Sequence, residues 1–240
     1  MKVHICIKQV PDVNASVDTG RMVLNAYDAS AVEEALVLRD KVGGSIDLVL
    51  IGPEKASETI RKALAMGTDD ATHIIADDSE FDSRTYADIL AGHFQNTEYD
   101  VILCGKQAQD TDAGLTGPML AALLDIPYTT NAVGLDVEGK KWVVTRQGDS
   151  GQEIIELTPP CLITCSNDMN DPRIPSLKGI MAAKRKQITS QEHSATVSPR
   201  VRVEGYQDVP GRPPGVVLEG DPEEVARDLR NRLTNEAKVI

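Results

Sequence analysis

The chain has 240 residues, with 25 basic and 37 acidic side chains and a net charge of −12. The length suits one large α/β domain with an extension, and the acidic balance argues against nucleic acid or an anionic membrane surface as a partner. Aromatic residues make up only 3% of the chain, too few for a base-stacking platform, whereas 41% hydrophobic content can fill a sizeable core.

The first apolar run, residues 3–7, suits a buried strand, and residues 8–24 are polar and turn-rich, with Pro11, Asp12, Asn14, Asp18 and Gly20. A helix follows, for which Ser30 is the expected cap, Glu33 and Glu34 the acidic first turn, and Val32, Ala35, Leu36 and Leu38 the apolar face; Gly43 and Gly44 end it. Residues 46–51 read as the second strand, broken by Gly52 and Pro53, and 57–66 as a helix closed by Gly67. A strand over 71–76, a helix over 83–95 and a strand over 99–104 continue the alternation. This pattern predicts an α/β fold, a doubly wound, mostly parallel, Rossmann-like sheet with helices on both faces.

Residues 105–118 form a loop between a strand and a helix, rich in small and polar side chains. Gly105, Gly114 and Gly117 let backbone N–H groups approach a ligand, and the start of the following helix, 119–124, adds a positive dipole end. Such a loop suits an adenine nucleotide, although it matches neither the dinucleotide glycine fingerprint nor the P-loop lysine motif. On these residues alone an ordinary βα connection fits equally well, with Asp110 and Asp112 as solvated turn acids.

Beyond Pro127 the character changes to short strands over 132–137, 141–146, 152–157 and 161–166, with hairpin turns at Gly139, Gly148 and Gly151. Cys6, Cys104, Cys161 and Cys165 all lie in strand-like apolar runs, which reads as buried thiols, and the spacing of a zinc site is missing. None of His4, His73, His93 or His193 sits in a nucleophile or metal motif, and Ser16, Ser30 and Ser150 lack a nucleophile-elbow setting. No stretch reads as a signal peptide or membrane span, so the reducing cytoplasm is the expected compartment.

Residues 167–175 form a loop with two prolines, and 177–187 a short basic helix or ordered loop. From about Thr189 the apolar density falls, and 199–220 reads as an extended arm. Asp221, Pro222, Glu223 and Glu224 make a strong helix start, and Val225, Leu229 and Leu233 recur on one face. The expected division is therefore a domain over 1–188, including a loop over 167–188, and an arm over 189–240 that docks on another subunit. Folding back onto its own domain is the competing reading of the arm.

Several segments, taken in order, resemble the beta subunit of electron transfer flavoprotein over the whole chain. They are Lys8-Gln-Val-Pro-Asp12, Asn25-Ala-Tyr-Asp28 before Ala31-Val-Glu-Glu-Ala35, Gly105-Lys-Gln-Ala-Gln-Asp-Thr-Asp112, Pro172-Arg-Ile-Pro-Ser-Leu-Lys-Gly-Ile-Met181, Ala183-Lys-Arg-Lys186 and Glu219-Gly-Asp-Pro-Glu-Glu224. The resemblance implies a heterodimer with an alpha subunit that holds the redox FAD, and an adenine nucleotide in this chain: AMP in housekeeping members, a second FAD in electron-bifurcating ones. By position the nucleotide contacts would be Cys6, Asn25, Ala26, Tyr27, Asp28, Ile51, Gly105, Lys106, Gln107, Ala108, Gln109, Asp110, Thr111, Asp112, Ala113, Gly114, Leu115 and Thr116. It also implies that Arg146 lies near the flavin of the alpha subunit, where a guanidinium stabilises the anionic reduced forms.

In the same way Leu177 matches the leucine that anchors acyl-CoA dehydrogenase partners, with Lys178, Lys184, Arg185 and Lys186 available to steer an acidic surface. Without the resemblance, Leu177 reads as a staple for the next helix and the cations as a solvated face. Three functions follow: an electron carrier subunit without substrate chemistry of its own; a subunit of a bifurcating, NADH-linked complex with a second FAD; and a stand-alone nucleotide sensor or adenylate-handling module. Residues 110–118 match neither the AMP nor the FAD subtype closely.

Overall fold

The computed structural model describes residues 1–12, 20–193, 198–207, 209–212 and 214–240. Part of the turn-rich stretch expected at 8–24 therefore lies outside the described residues, as does a short piece of the arm. The chain divides into two compact units, Met1–Arg202 and Val203–Ile240.

In the first unit the strands are β1 (Lys2–Ile7), β2 (Gln9–Pro11), β3 (Met22–Leu24), β4 (Ser45–Gly52), β5 (Asp70–Ile75), β6 (Val101–Gly105), β7 (Tyr128–Glu138), β8 (Lys141–Gly148), β9 (Gly151–Leu157), β10 (Cys161–Cys165) and β11 (Ile188–Glu192). The helices are α1 (Ala26–Val42), α2 (Ser57–Met66), α3 (Ser83–Phe94), α4 (Thr116–Leu124) and α5 (Leu177–Arg185). The main sheet has nine strands in the order β11-β5-β4-β1-β6-β10-β7-β8-β9, and β2 pairs antiparallel with β3 beside it. Neighbours from β11 to β7 run parallel. The last two pairings, β7 with β8 and β8 with β9, are the expected hairpins.

Strand alternation sends side chains to two cores. Val3, Ile5, Leu48, Leu50, Val101 and Leu103 pack under α1 and α2. Val49, Ile51, Ile102, Cys104 and Leu162 pack under α3 and α4. Each aliphatic side chain so buried contributes about 1.5–3 kcal/mol. The four cysteines lie on three adjacent central strands: Cys6 is half-buried, Cys104, Cys161 and Cys165 are buried, and all are free thiols. Burial pushes the Cys161 thiol up to about 12.

Two local readings change. Ser30 does not cap α1, which begins a turn earlier at Ala26; its hydroxyl instead donates to the Ala26 carbonyl at 3.3 Å. Asn25 occupies the cap position but makes no capping bond with its side chain. Residues 189–192, expected at the root of the arm, belong to the edge strand β11, which runs in parallel register with β5 inside the compact unit Met1–Arg202. The edge position explains why the strand was illegible: only Ile188 of its five residues is half-buried, and the other four are exposed.

In the second unit, α6 (Pro222–Asn231) starts as expected, with the Asp221 carboxylate accepting the Glu223 N–H at 3.0 Å and Pro222 at the first helical position. A π-type turn, Arg232–Glu236, extends it. No residue of α6 is buried, and the Arg232–Asp228 pair at 3.0 Å ties successive turns.

Candidate functional site

In the order β5-β4-β1-β6 the chain winds outward from β1 in one direction and then returns to place β6 on its other side. The strand order therefore reverses between β1 and β6, and the crevice beyond their carboxyl ends is where open α/β sheets hold ligands. Cys6 lies opposite Cys104 across this line. Ile51, buried, is the next-to-last residue of β4 and packs on the α3 side. Over the ends of β1 and β6 the first turn of α1 meets the loop 105–115.

The contacts that fix the loop are directional. Asn25 donates from Nδ2 to the Gln107 carbonyl at 2.8 Å and accepts the Gln109 N–H on Oδ1 at 3.2 Å. Gln109 returns the bond, its Oε1 accepting the Ala26 N–H at 3.1 Å. Asp28, buried, accepts the Lys8 N–H on Oδ2 at 2.7 Å and the Gly105 N–H on Oδ1 at 3.0 Å. Gly105 is required there: a Cβ would stand 2.3 Å from Asp28 Oδ1 and 2.7 Å from the Tyr27 Cβ. Lys106 donates its N–H to the Cys165 carbonyl at 2.7 Å, and Gln107 Nε2 donates to Asp112 Oδ1 at 2.7 Å and to the Tyr27 hydroxyl at 3.3 Å.

The Ala108 carbonyl accepts the N–H groups of Thr111 and Asp112, and positive φ angles at Asp112 (49°) and Gly114 (63°) curl the loop toward α4. Ala113 and Leu115 are exposed, and Thr116 is half-buried. Leu115 at the cap position of α4 offers no side-chain acceptor, so the first-turn N–H groups keep their capacity for an anion. Gly117 brings α4 down on β10, since a Cβ would lie 2.6 Å from Thr164 Cγ2.

The electrostatics follow from burial. Desolvation raises Asp28 to about 7 even though the Lys8 and Gly105 N–H groups favour its carboxylate. The Cys6 thiol is pushed well up by its hydrogen bond with Cys104 and by burial. Two elements of the rim were not picked out from sequence. Lys8 pairs with Asp110 at 2.6 Å, and its ammonium lies 5.4 Å from the centre of the Tyr86 ring, whose hydroxyl donates to Asp78 Oδ2 at 2.7 Å. A lysine directly after a strand end was a usable signal; Tyr86 lies within a helix read only for its apolar face. Among the described residues no cluster of three or more His, Cys, Asp or Glu side chains is placed to hold a metal ion.

Arg146 does not join this cradle. The register runs from Gly105 to Cys165, Ala132 and Arg146, three strand spacings or about 14 Å along the same rim. Its guanidinium is paired with Glu153 at 2.9 Å and with the Thr130 carbonyl at 3.3 Å.

The other expected group lies on α5. Leu177 is 78% exposed, and Ile174, three residues earlier in the chain, is 93% exposed. Ser176 caps the helix by accepting the Gly179 N–H, and Gly179 fits against the Ala65 carbonyl of α2, where a Cβ would lie at 2.5 Å. Lys178, Lys184 and Arg185 are exposed, but the Lys186 ammonium is bonded to the Thr68 carbonyl and so belongs to the packing of α5 on α2 rather than to a free cationic surface.

A crevice where the strand order reverses, a glycine-containing loop locked to the start of α1 and a helix start without a side-chain cap make up the rim of an α/β fold in the position where such sheets hold ligands. The electron transfer flavoprotein domain family matches residues 13–196. The beta subunit of electron transfer flavoprotein from Bacillus subtilis is 36% identical over 231 residues, covering 93% of this chain and 90% of that protein. Its counterpart from Bradyrhizobium diazoefficiens is 37% identical with full coverage of both chains. Subunit CarD of the caffeyl-CoA reductase-Etf complex from Acetobacterium woodii is 39% identical, covering 80% of this chain and 79% of that one. The chain belongs to the electron transfer flavoprotein family, as a beta-type subunit.

Proposed function

We propose that this chain pairs with an alpha subunit and passes electrons through FAD, held mainly by that partner, between acyl-CoA or similar dehydrogenases and a downstream acceptor in the cytoplasm. Its own rim holds an adenine nucleotide, either AMP or the adenylate half of a second FAD. The observation that carries this reading is the lock between α1 and the loop 105–109, in which Asn25 and Asp28 hold the loop backbone over the crevice between β1 and β6. The residues fit such a ligand. Backbone groups at the ends of β1 and β4 would meet an adenine edge, and the uncapped start of α4 would take a phosphate. FAD supplies the redox chemistry; this chain positions and encloses.

The test is to co-express the chain with its alpha subunit, purify the complex, and release nucleotides with acid for chromatography. One FAD and one AMP per heterodimer make the rim a structural nucleotide site. Two FAD and no AMP make it a second redox site, as in bifurcating, NADH-linked complexes. A complex whose only nucleotide is the partner's FAD overturns the assignment of the rim. On α5, Leu177 is read as the anchor for the dehydrogenase, and Leu177→Ala is expected to raise KM for that partner.

A further inference from the structure

The loop 166–176 leaves β10 and delivers the chain to α5 without entering a strand or helix. Two of its side chains reach back to α1. Asn170 Nδ2 donates to the Ser30 carbonyl at 3.1 Å and to Glu34 Oε2 at 3.0 Å. Arg173 meets Glu33 three ways: its N–H donates to Oε2 at 3.0 Å, Nε to Oε2 at 2.8 Å and Nη2 to Oε1 at 2.9 Å. Asp40, 3.8 Å from Nη2, adds a weaker charge contact.

The Glu33 side chain is 9% exposed, whereas that of Arg173 is 38% exposed. Burial raises the Glu33 carboxyl, but the side-chain and backbone bonds from Arg173 more than reverse this and hold it below the usual carboxylate value. A buried carboxylate in a fork with one guanidinium is a rigid joint, because a planar bidentate pair fixes angle as well as distance. It sits at an odd place for a purely stabilising pair: the next residue is Ile174, almost fully exposed, and Leu177 follows three further on. An unheld loop would fold such side chains against the body. Here the chain is clamped immediately before them and, on the far side, by α5 seated on α2, where Arg61 donates to the Ala183 carbonyl at 2.6 Å.

We infer that Glu33 and Arg173 are a positioning pair that holds Ile174 and Leu177 in the geometry a dehydrogenase docks on. The inference rests on the reading of Leu177 as the docking anchor. In this role the pair acts through the loop, by lowering the ordering cost of association.

The experiment uses the heterodimer with its nucleotides and a substrate-reduced acyl-CoA dehydrogenase as electron donor. Glu33→Gln, Arg173→Met, the double variant and Leu177→Ala are compared with the parent. For Glu33→Gln and Arg173→Met, KM for the dehydrogenase is expected to rise about tenfold with kcat within about twofold, and the double variant to be no worse than Arg173→Met. Hydrogen exchange is expected to quicken over 171–177 alone. If Leu177→Ala raises KM and the pair variants do not, the positioning role is wrong and the docking reading stands. If Leu177→Ala leaves KM unchanged, the docking reading fails and the positioning role with it. Additive losses in the double variant, or faster exchange spreading into β10 and α1, would mark general destabilisation and overturn the inference.

Discussion

Asn25 shows how a single side chain can be diverted from the role its position suggests. An asparagine before a helix ordinarily caps it, yet this one bonds to residues more than eighty positions away in sequence. Gly105 is the complementary case. Gly105→Ala is expected to cost about 2–3 kcal/mol, because the new methyl displaces Asp28 and breaks its bond to the Gly105 N–H. Gly139→Ala, where nothing lies within 4 Å, is expected to cost about 1 kcal/mol for the left-handed backbone alone. Urea titrations of the two variants check the contrast.

Asp28 adds a pH dependence. With its folded value raised to about 7, the native state holds a proton that the unfolded chain releases above its ordinary value near 4. Stability from this group is therefore complete below pH 4 and declines as pH rises to about 7. Asp28→Asn removes that decline but loses an acceptor for one of two N–H groups. Its penalty is expected to be larger at pH 5 than at pH 8, and equal penalties at both would contradict the raised value.

At the scale of elements, Asp82 joins a helix to the end of the first unit. Its Oδ1 accepts the Thr85 N–H at 2.8 Å and the Thr85 hydroxyl at 2.7 Å, and its Oδ2 the N–H groups of Arg200 and Val201 at 2.7 and 2.9 Å. Desolvation raises the carboxyl, but these four bonds together outweigh it, and it falls to about 2. The stability it brings is thus complete above pH 4 and lost as pH drops through 2. Asp82→Ala is expected to cost about 1–2 kcal/mol, with faster amide exchange at Arg200 and Val201 as the specific sign.

Most elements were legible in the sequence, and the reason is physical. Buried parallel strands are continuous apolar runs such as Val101 to Cys104, and helices advertise their ends with Gly67 or Asp221. The strand β11 gave no such signal, because an edge strand buries little. Of the candidate site, the glycine-containing loop 105–118 was legible from its own residues, and the other contacts only through the family resemblance. The site's bonds join Lys8, Asn25, Asp28 and Gln109, residues that folding alone brings together. Local pattern carries no record of such meetings, and the same holds for Glu33 and Arg173.

For the molecule as a whole, the compact unit Val203–Ile240 has a helix with no buried residue and Leu229 about half exposed. Such a helix has an apolar stripe to cover, and we propose that the alpha subunit covers it. Deleting residues 221–240 is expected to abolish the heterodimer while leaving the first unit folded; co-purification of the two subunits after the deletion would remove the arm from assembly.

The three central strands β1, β6 and β10 also carry every thiol in the chain. Burial, with the Cys104 thiol beside Cys6 and Cys165 and the Asp100 carboxylate near Cys161, keeps all three protonated at ordinary pH, so alkylating reagents find them unreactive while the sheet is closed. The middle of the sheet thus works as a built-in chemical clock. The rate at which the native protein loses its thiols to a disulfide reagent reports how often those strands part, with no label and no substitution required.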